Sequence, residues 1–310
     1  MLTATSEYFQ ELVEAVGRGW NYFWYEPHDG ACLIWLRQVT AAFALWWLVS
    51  FTPHLESMFG ENGWVSLDIV HATTTDGNLD KVAPGFSPLF YVSSTGLWVC
   101  HLAALAIVAA LTFGFRPRVT TPLTLLVVLC YVHRAPLLCS SFETALCMLL
   151  LYLCFAPKQS AWSLWRSSCP TGSNQVLSPT WLSNVGVRLI QVHVCALYLL
   201  IATTKLGTPT WWSGMATWHL LVDANHRLIN LESLAANDNL MDVVSHGWVA
   251  FELLFPVLIW VRVLRPLLLI VATIVWLLTA LVTGQIGYCL LMAFANLVFV
   301  SVSRIGEKGQ

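Results

Sequence analysis

Residues 184–214 read NVGVRLIQVHVCALYLLIATTKLGTPTWWSG. The stretch 184–205 is long and apolar enough to cross a bilayer, since about 20 such residues cover the roughly 30 Å of hydrocarbon. It ends on Lys205 and runs at once into a tryptophan-rich turn. At about 100° per residue, Asn184, Arg188, Gln191, Cys195, Tyr198, Ala202 and Lys205 share one arc of roughly 100°, a polar stripe along the whole helix. Lipid penalises such a stripe, so it should face other helices or a water-filled cavity. Two readings stand. One is helix–helix hydrogen bonding, with Arg188 and Lys205 snorkelling to opposite interfaces. The other is a functional site at Lys205, because a charge in or beside hydrocarbon costs about 3 kcal/mol or more.

Outward from this segment the composition stays that of a membrane protein. The 310 residues are 57% hydrophobic and 10% charged, with mean hydropathy +0.67, whereas a soluble domain carries about a quarter charged residues. The net charge of −2 comes with no basic patch, so no nucleic-acid partner is expected. The nine cysteines fall mainly inside apolar runs, without CxxC pairs or zinc-like spacing, and read as small hydrophobes.

The same length rule finds eight candidate spans, near 31–52, 88–114, 118–133, 139–156, 184–205, 246–263, 265–284 and 286–303. The third and fourth are short and separated only by His133-Arg134-Ala135-Pro136; Arg-Pro at 116–117 and 265–266 marks tight turns. Residues 1–30 lack a signal peptide pattern. From Tyr8 to Trp24, the residues Phe9, Leu12, Val13, Val16, Trp20, Phe23 and Trp24 recur at helical spacing opposite Glu7, Glu11 and Glu14, as expected of a helix lying in the membrane interface. The expected fold is therefore an all-α integral membrane protein. It comprises an interfacial helix in 1–30, a bundle of about eight transmembrane helices in 31–303 and a short cytoplasmic tail, 304–310.

Basic residues collect on the cytoplasmic side of a membrane protein. With eight spans, one side holds ten: Arg18, Arg116, Arg118, Lys158, Arg166, Arg188, Arg262, Arg265, Arg304 and Lys308. The other holds four: Lys81, Arg134, Lys205 and Arg227, with Arg37 inside the first span. This split places both termini in the cytoplasm and the loops 53–87 and 206–245 outside. Loop 157–183 reads as a cytoplasmic linker.

Three other features carry polar chemistry. Glu252 sits early in the sixth span and Arg37 early in the first; a buried pair between them is conceivable, although the orientation places Glu252 nearer Lys205. His219, Asp223 and His226 fall at i, i+4 and i+7, but WHLLVDANHRLINLESLAAN reads better as an interfacial helix than as a metal centre, and no metal is expected. Trp20, Trp24, Trp46, Trp47, Trp211, Trp212 and Trp260 lie where an aromatic belt belongs.

At this point the residues resemble a family. The pattern Tyr198-x6-Lys205-Leu206, followed by Trp211-x2-Gly214-x-Ala216, is similar to a motif of the membrane domain of vitamin K-dependent γ-glutamyl carboxylases and of bacterial proteins sharing it, the horizontally transferred transmembrane (HTTM) domain. FGENGW at 59–64, FAPKQSAWSLW at 155–165 and FELLFPVLIWVRVLRP at 251–266 are similar to family blocks in the same order. The resemblance implies that Lys205 is a general base that deprotonates reduced vitamin K or menaquinol. Oxygenation then yields a strong base that takes a proton from glutamate, and carbon dioxide adds to the carbanion. With Lys205 as base, Tyr198 of the motif and Glu252, which shares its leaflet, are the expected catalytic neighbours, and Trp211 and Gly214 of the motif, with Gln191 of the stripe, are expected around the quinol. Desolvation disfavours an ammonium, which suits a lysine to that task. The chain departs from the family where Phe142, next to Glu143, stands in place of a histidine and where the large lumenal region has no counterpart. A soluble partner domain or a small substrate is then expected, and the bare membrane domain implies a bacterial inner membrane. The alternatives are a non-catalytic module that binds quinone or lipid or serves as a partner subunit, and, less favoured, a transporter, for which an inverted repeat is missing.

Overall fold

A computed structural model describes residues 2–60, 63–64, 87–160, 179–223, 228–229 and 231–300, with side chains from Glu11 onward. The described residues are 81% helix and contain no strand. In chain order, α1 is Leu2–Tyr25, α2 Ala31–Phe51, α3 Leu55–Phe59, α4 Ser94–Thr112, α5 Pro117–Arg134, α6 Ser141–Leu153, α7 Trp181–Leu206, α8 Pro209–Trp212, α9 Met215–Val222, α10 Glu232–Ala235, α11 Asp238–Leu258, α12 Arg265–Thr283 and α13 Ile286–Asn296.

Five helical stretches are long and apolar enough to cross a membrane: α2 with its continuation to Phe59, α4, α7, α11 and α12. Within the most apolar window of α12 only 22% of residues are buried in the protein, so the rest of that surface needs lipid as its solvent. The helices α6 and α13 are shorter, and they form the centre of the bundle. Leu146, Leu149, Leu150 and Leu153 of α6 and Leu291, Met292 and Ala295 of α13 have no exposed surface. Helix α13 packs on α2, α6, α7 and α12. Helices α6 and α13 each keep a narrow exposed strip, Leu151 on α6 and Ile286 and Phe294 on α13, and a helix buried over most of its surface can be largely apolar without being a full-length span.

Contacts between helix ends show that the elements alternate in direction. At one end of the bundle Arg37 donates to Pro157 O (2.8 Å) and Gln159 O, Gln191 donates to Val298 O (3.2 Å), and His28 and Thr180 exchange backbone hydrogen bonds across a single β-bridge. At the other end Trp47 Nε1 donates to Glu143 Oε1 (2.8 Å) and Arg134 donates to Phe59 O (2.9 Å) and Gly60 O (3.1 Å).

Several expectations change. The Arg37–Glu252 pair does not form, because the two residues sit at opposite ends; Arg37 serves backbone carbonyls instead. Arg188 does not snorkel: Nε donates to Phe23 O (3.1 Å) and its guanidinium lies over the Phe23 ring (4.4 Å), which fastens the end of α1 to α7. Trp47 is 7% exposed and engaged with Glu143, so it is a core residue and not part of a belt. The helix expected through WHLLVDANHRLINLESLAAN ends at Val222, where Asp223 turns to extended backbone (ψ 109°); among the described residues the next helix is the short α10. His226, most of loop 53–87, residues 161–165 of the second family block and the tail 304–310 lie outside the described residues.

Candidate functional site

The stripe on α7 faces protein, and its members divide into two sets. Asn184 donates to Phe23 O (2.8 Å), and Gln191 takes a hydrogen bond from Arg188 (3.0 Å) while donating to Val298 O. Tyr198 Oη accepts from Trp276 Nε1 (2.7 Å) and Asn296 Nδ2 (3.0 Å). These are helix–helix hydrogen bonds, the satisfied state of buried polar groups. Lys205 differs. Its Nζ donates to Glu252 Oε1 at 2.7 Å, with the two side chains 12% and 7% exposed. The ammonium also lies over the rings of Trp211 (4.2 Å) and Trp248 (4.6 Å), whose faces attract a cation.

Local sequence explains the placement. Lys205 is in the last turn of α7, where a cation complements the helix C-terminus. Gly207 closes that helix. Pro209 starts α8, which carries Trp211 over the ammonium. Trp248 and Glu252 are one turn apart on α11, so they present to one face. Trp248 Nε1 lies beside the Glu252 carboxylate. Even so, neither it nor Glu252 Oε2 has a hydrogen-bond partner of good geometry.

Two cavities share Trp211 as a wall. One, of about 280 Å³, is lined by Lys205, Leu206, Trp211, Trp212, His246, Val249, Ala250 and Leu253. It is largely apolar, with polarity supplied by Lys205 and His246. His246 Nδ1 is 2.7 Å from Asp242 O; a carbonyl only accepts, so Nδ1 carries a hydrogen and Nε2 is the ring nitrogen left for another partner. The other cavity, about 720 Å³, reaches His219, Asp223, Thr283 and Gln285.

The structure thus brings Lys205, Glu252 and Trp211 together. Gly214 sits nearby at φ +66°, where an added Cβ would lie 2.5 Å from Asp242 Oδ1; it makes the turn into α9 and lines neither cavity. Tyr198 and Gln191 lie roughly 10 and 21 Å further along α7 at 1.5 Å per residue, in the hydrogen-bonded part of the stripe. Phe142 packs against Trp46 (6.1 Å) and Phe43 (6.4 Å), and Glu143 forms a capping box with Ser140. Sequence reasoning missed Trp248 and His246. The signal for Trp248 was its place four residues before an intramembrane carboxylate; for His246 no comparable signal exists. Among the described residues no group of three or more His, Cys, Asp or Glu could hold a metal ion. Comparison with protein-family models, curated proteins and solved structures found no match.

Proposed function

We propose that the protein is an eight-span membrane protein of the HTTM, carboxylase-like kind, and that Lys205 and Glu252 are the proton-handling pair of a quinol-linked membrane enzyme. The observation that carries this reading is the 2.7 Å contact between Lys205 Nζ and Glu252 Oε1 on the wall of an apolar cavity. Passing one proton from Nζ to Oε1 turns the ammonium into a neutral amine, the form a general base needs, and the carboxyl group holds that proton for return. Trp211 and Trp248 exclude water from the pair and favour the cationic form once the amine has taken up a proton. The cavity fits a ring head with an apolar body: its walls are Leu206, Trp211, Trp212, Val249, Ala250 and Leu253, and Trp212 and Leu253 are exposed on the outside of the bundle, where a hydrocarbon tail meets lipid. Reduced vitamin K or menaquinol would supply an acidic ring hydroxyl and reducing power.

The membrane arrangement belongs to the same reading. The alternating helix ends and the ten-to-four division of basic residues support eight crossings and cytoplasmic termini, with the site in the outer leaflet; the bacterial inner membrane rests on the family resemblance alone. Helix α1 leaves Leu12, Val13, Val16 and Trp20 exposed, which suits a helix lying in the cytoplasmic interface. A soluble partner domain would dock on the outer side, beside Lys205. A second reading, a non-catalytic quinone- or lipid-binding module, is favoured by one feature: the ammonium is already satisfied by Glu252 and two rings, which makes the pair a tether between α7 and α11.

The experiment is oxygen-dependent consumption of reduced vitamin K and menaquinol by membranes containing the protein or its Lys205→Ala variant at equal abundance. Turnover that disappears with Lys205→Ala supports the enzyme. Equal background in both rejects it for these quinols and leaves the binding module.

A further inference from the structure

At the end of the bundle opposite Lys205 lies a cavity of about 490 Å³, lined by Arg118 at the start of α5, the Phe155–Gln159 connection after α6, and residues 180–183 at the start of α7. Its chemistry is one-sided. Arg118 and Lys158 are exposed at its rim. Beneath them Arg37 is 1% exposed, and its guanidinium holds the carbonyls of Pro157 and Gln159, two of the lining residues. Arg37 Nε is buried with no hydrogen-bond partner.

Among the described residues none of these three cations has a carboxylate within salt-bridge distance. The sequence accounts for this, because Glu143 is the sole acidic residue from Lys81 to Val222, and Glu143 caps the far end of α6. Asp29 approaches from the α1–α2 turn, but its carboxylate is turned to Ala31 N (3.2 Å) and His28 (3.4 Å). A buried guanidinium without a counter-ion is costly. Carbonyl dipoles offset part of that cost, and an anion above them would offset more.

We infer that this cavity binds a phosphate group, supplied by the headgroup of an anionic phospholipid. Arg118 and Lys158 contact the phosphate, and Arg37 contributes its field from below. The backbone N–H groups at the start of α7, a helix with no acidic residue in its first turn, add to the attraction. Trp181 lines the cavity and is 55% exposed, as an anchor at headgroup depth is. The site does not depend on the chemistry of Lys205.

Native mass spectrometry of the purified, delipidated protein tests it, with phosphatidylglycerol, phosphatidylcholine or inorganic phosphate added. The Arg118→Gln/Lys158→Gln variant and each single variant are run alongside. Both side chains are exposed, so the variants should fold, which an unchanged elution profile and helical content check. The expected result is about tenfold preference of wild type for phosphatidylglycerol over phosphatidylcholine, lost in the double variant and reduced in each single one. Variant-sensitive retention of inorganic phosphate without that lipid preference would overturn the lipid assignment in favour of a free anion. Equal binding of the two lipids without phosphate retention, or a double variant that behaves as wild type, would overturn the site.

Discussion

Lys205 and Glu252 are bound to each other closely enough that neither can be changed alone without stranding the other. Removing one partner of a buried ion pair costs roughly 3–5 kcal/mol, whereas replacing both by apolar groups is often neutral or stabilising. Lys205→Met and Glu252→Leu are each expected to lower the thermal unfolding midpoint in detergent, and the double variant to recover most of that loss. The same double variant separates the two functional readings. It restores the fold but has no proton to move, so an enzyme stays inactive in it while a tether works. Gly214 is a second sensitive position. At φ +66°, with Asp242 Oδ1 at 2.5 Å and Asp242 N at 3.0 Å from an added Cβ, Gly214→Ala should cost about 1–3 kcal/mol, read as a lower unfolding midpoint. At this scale the stripe was legible because helical spacing alone puts its members on one face. The partner of Lys205 was not, since Glu252 lies 47 residues away and only the packing of α7 on α11 joins them.

Among the elements, α6 is a short helix held at its start by a full capping box. Ser140 N and Oγ both donate to Glu143 Oε2 at 2.7 Å, Phe142 N donates to Ser140 Oγ (3.2 Å), and Glu143 Oε1 takes the Trp47 indole N–H. This cap ties the start of α6 to α2 as well as to itself. Ser140→Ala should cost about 1 kcal/mol, the usual loss for an N-cap. Glu143→Ala should cost more, since it also strands the buried Trp47 N–H. Denaturation of purified protein would read both, and equal effects would mean that the Trp47 contact contributes nothing. The S-x-x-E spacing was readable from Ser140 and Glu143, yet the resemblance drew attention to this position for a missing histidine and not for a cap. The start of α12 was also readable, marked by the Arg265-Pro266 turn, whereas α4 starts at Ser94 behind its Ser93 cap and α7 at Trp181 behind Thr180, away from the expected 88 and 184. The break at Asp223 was not readable: the apolar periodicity continues through it, and nothing local demands that the helix stop.

For the whole molecule, the open physical question is which helices cross the membrane, and length alone answers it differently from packing. Helix α5 has the length of a free-standing span, 18 residues, but not its hydropathy, and α6 is apolar but only 13 residues long; Thr120, Thr121 and Thr124 of α5 are buried polar residues. In a bundle this is tolerated, because Thr121 Oγ1 bonds Pro117 O (2.6 Å) within its own helix and the neighbouring helices cover the rest. The positive-inside count gives the same orientation to loop 112–117 and to the α7–α8 turn whether or not α5 and α6 cross, since they enter as a pair. The turn between them is the informative place. Leu137 is 56% exposed there. A Leu137→Cys variant should react with a membrane-impermeant maleimide in intact spheroplasts if α5 and α6 both cross, and only after permeabilisation if they do not. Ser213→Cys, expected outside in either layout, and Arg116→Cys, expected inside, calibrate the assay against the chain's own cysteines. Labelling of Leu137→Cys from outside would put Arg134 and Lys205 on one surface and Arg37, Arg118 and Lys158 on the other. The polar cap at each end of the bundle would then face a different compartment. That separation is what a proton-handling pair on one side and a headgroup site on the other require.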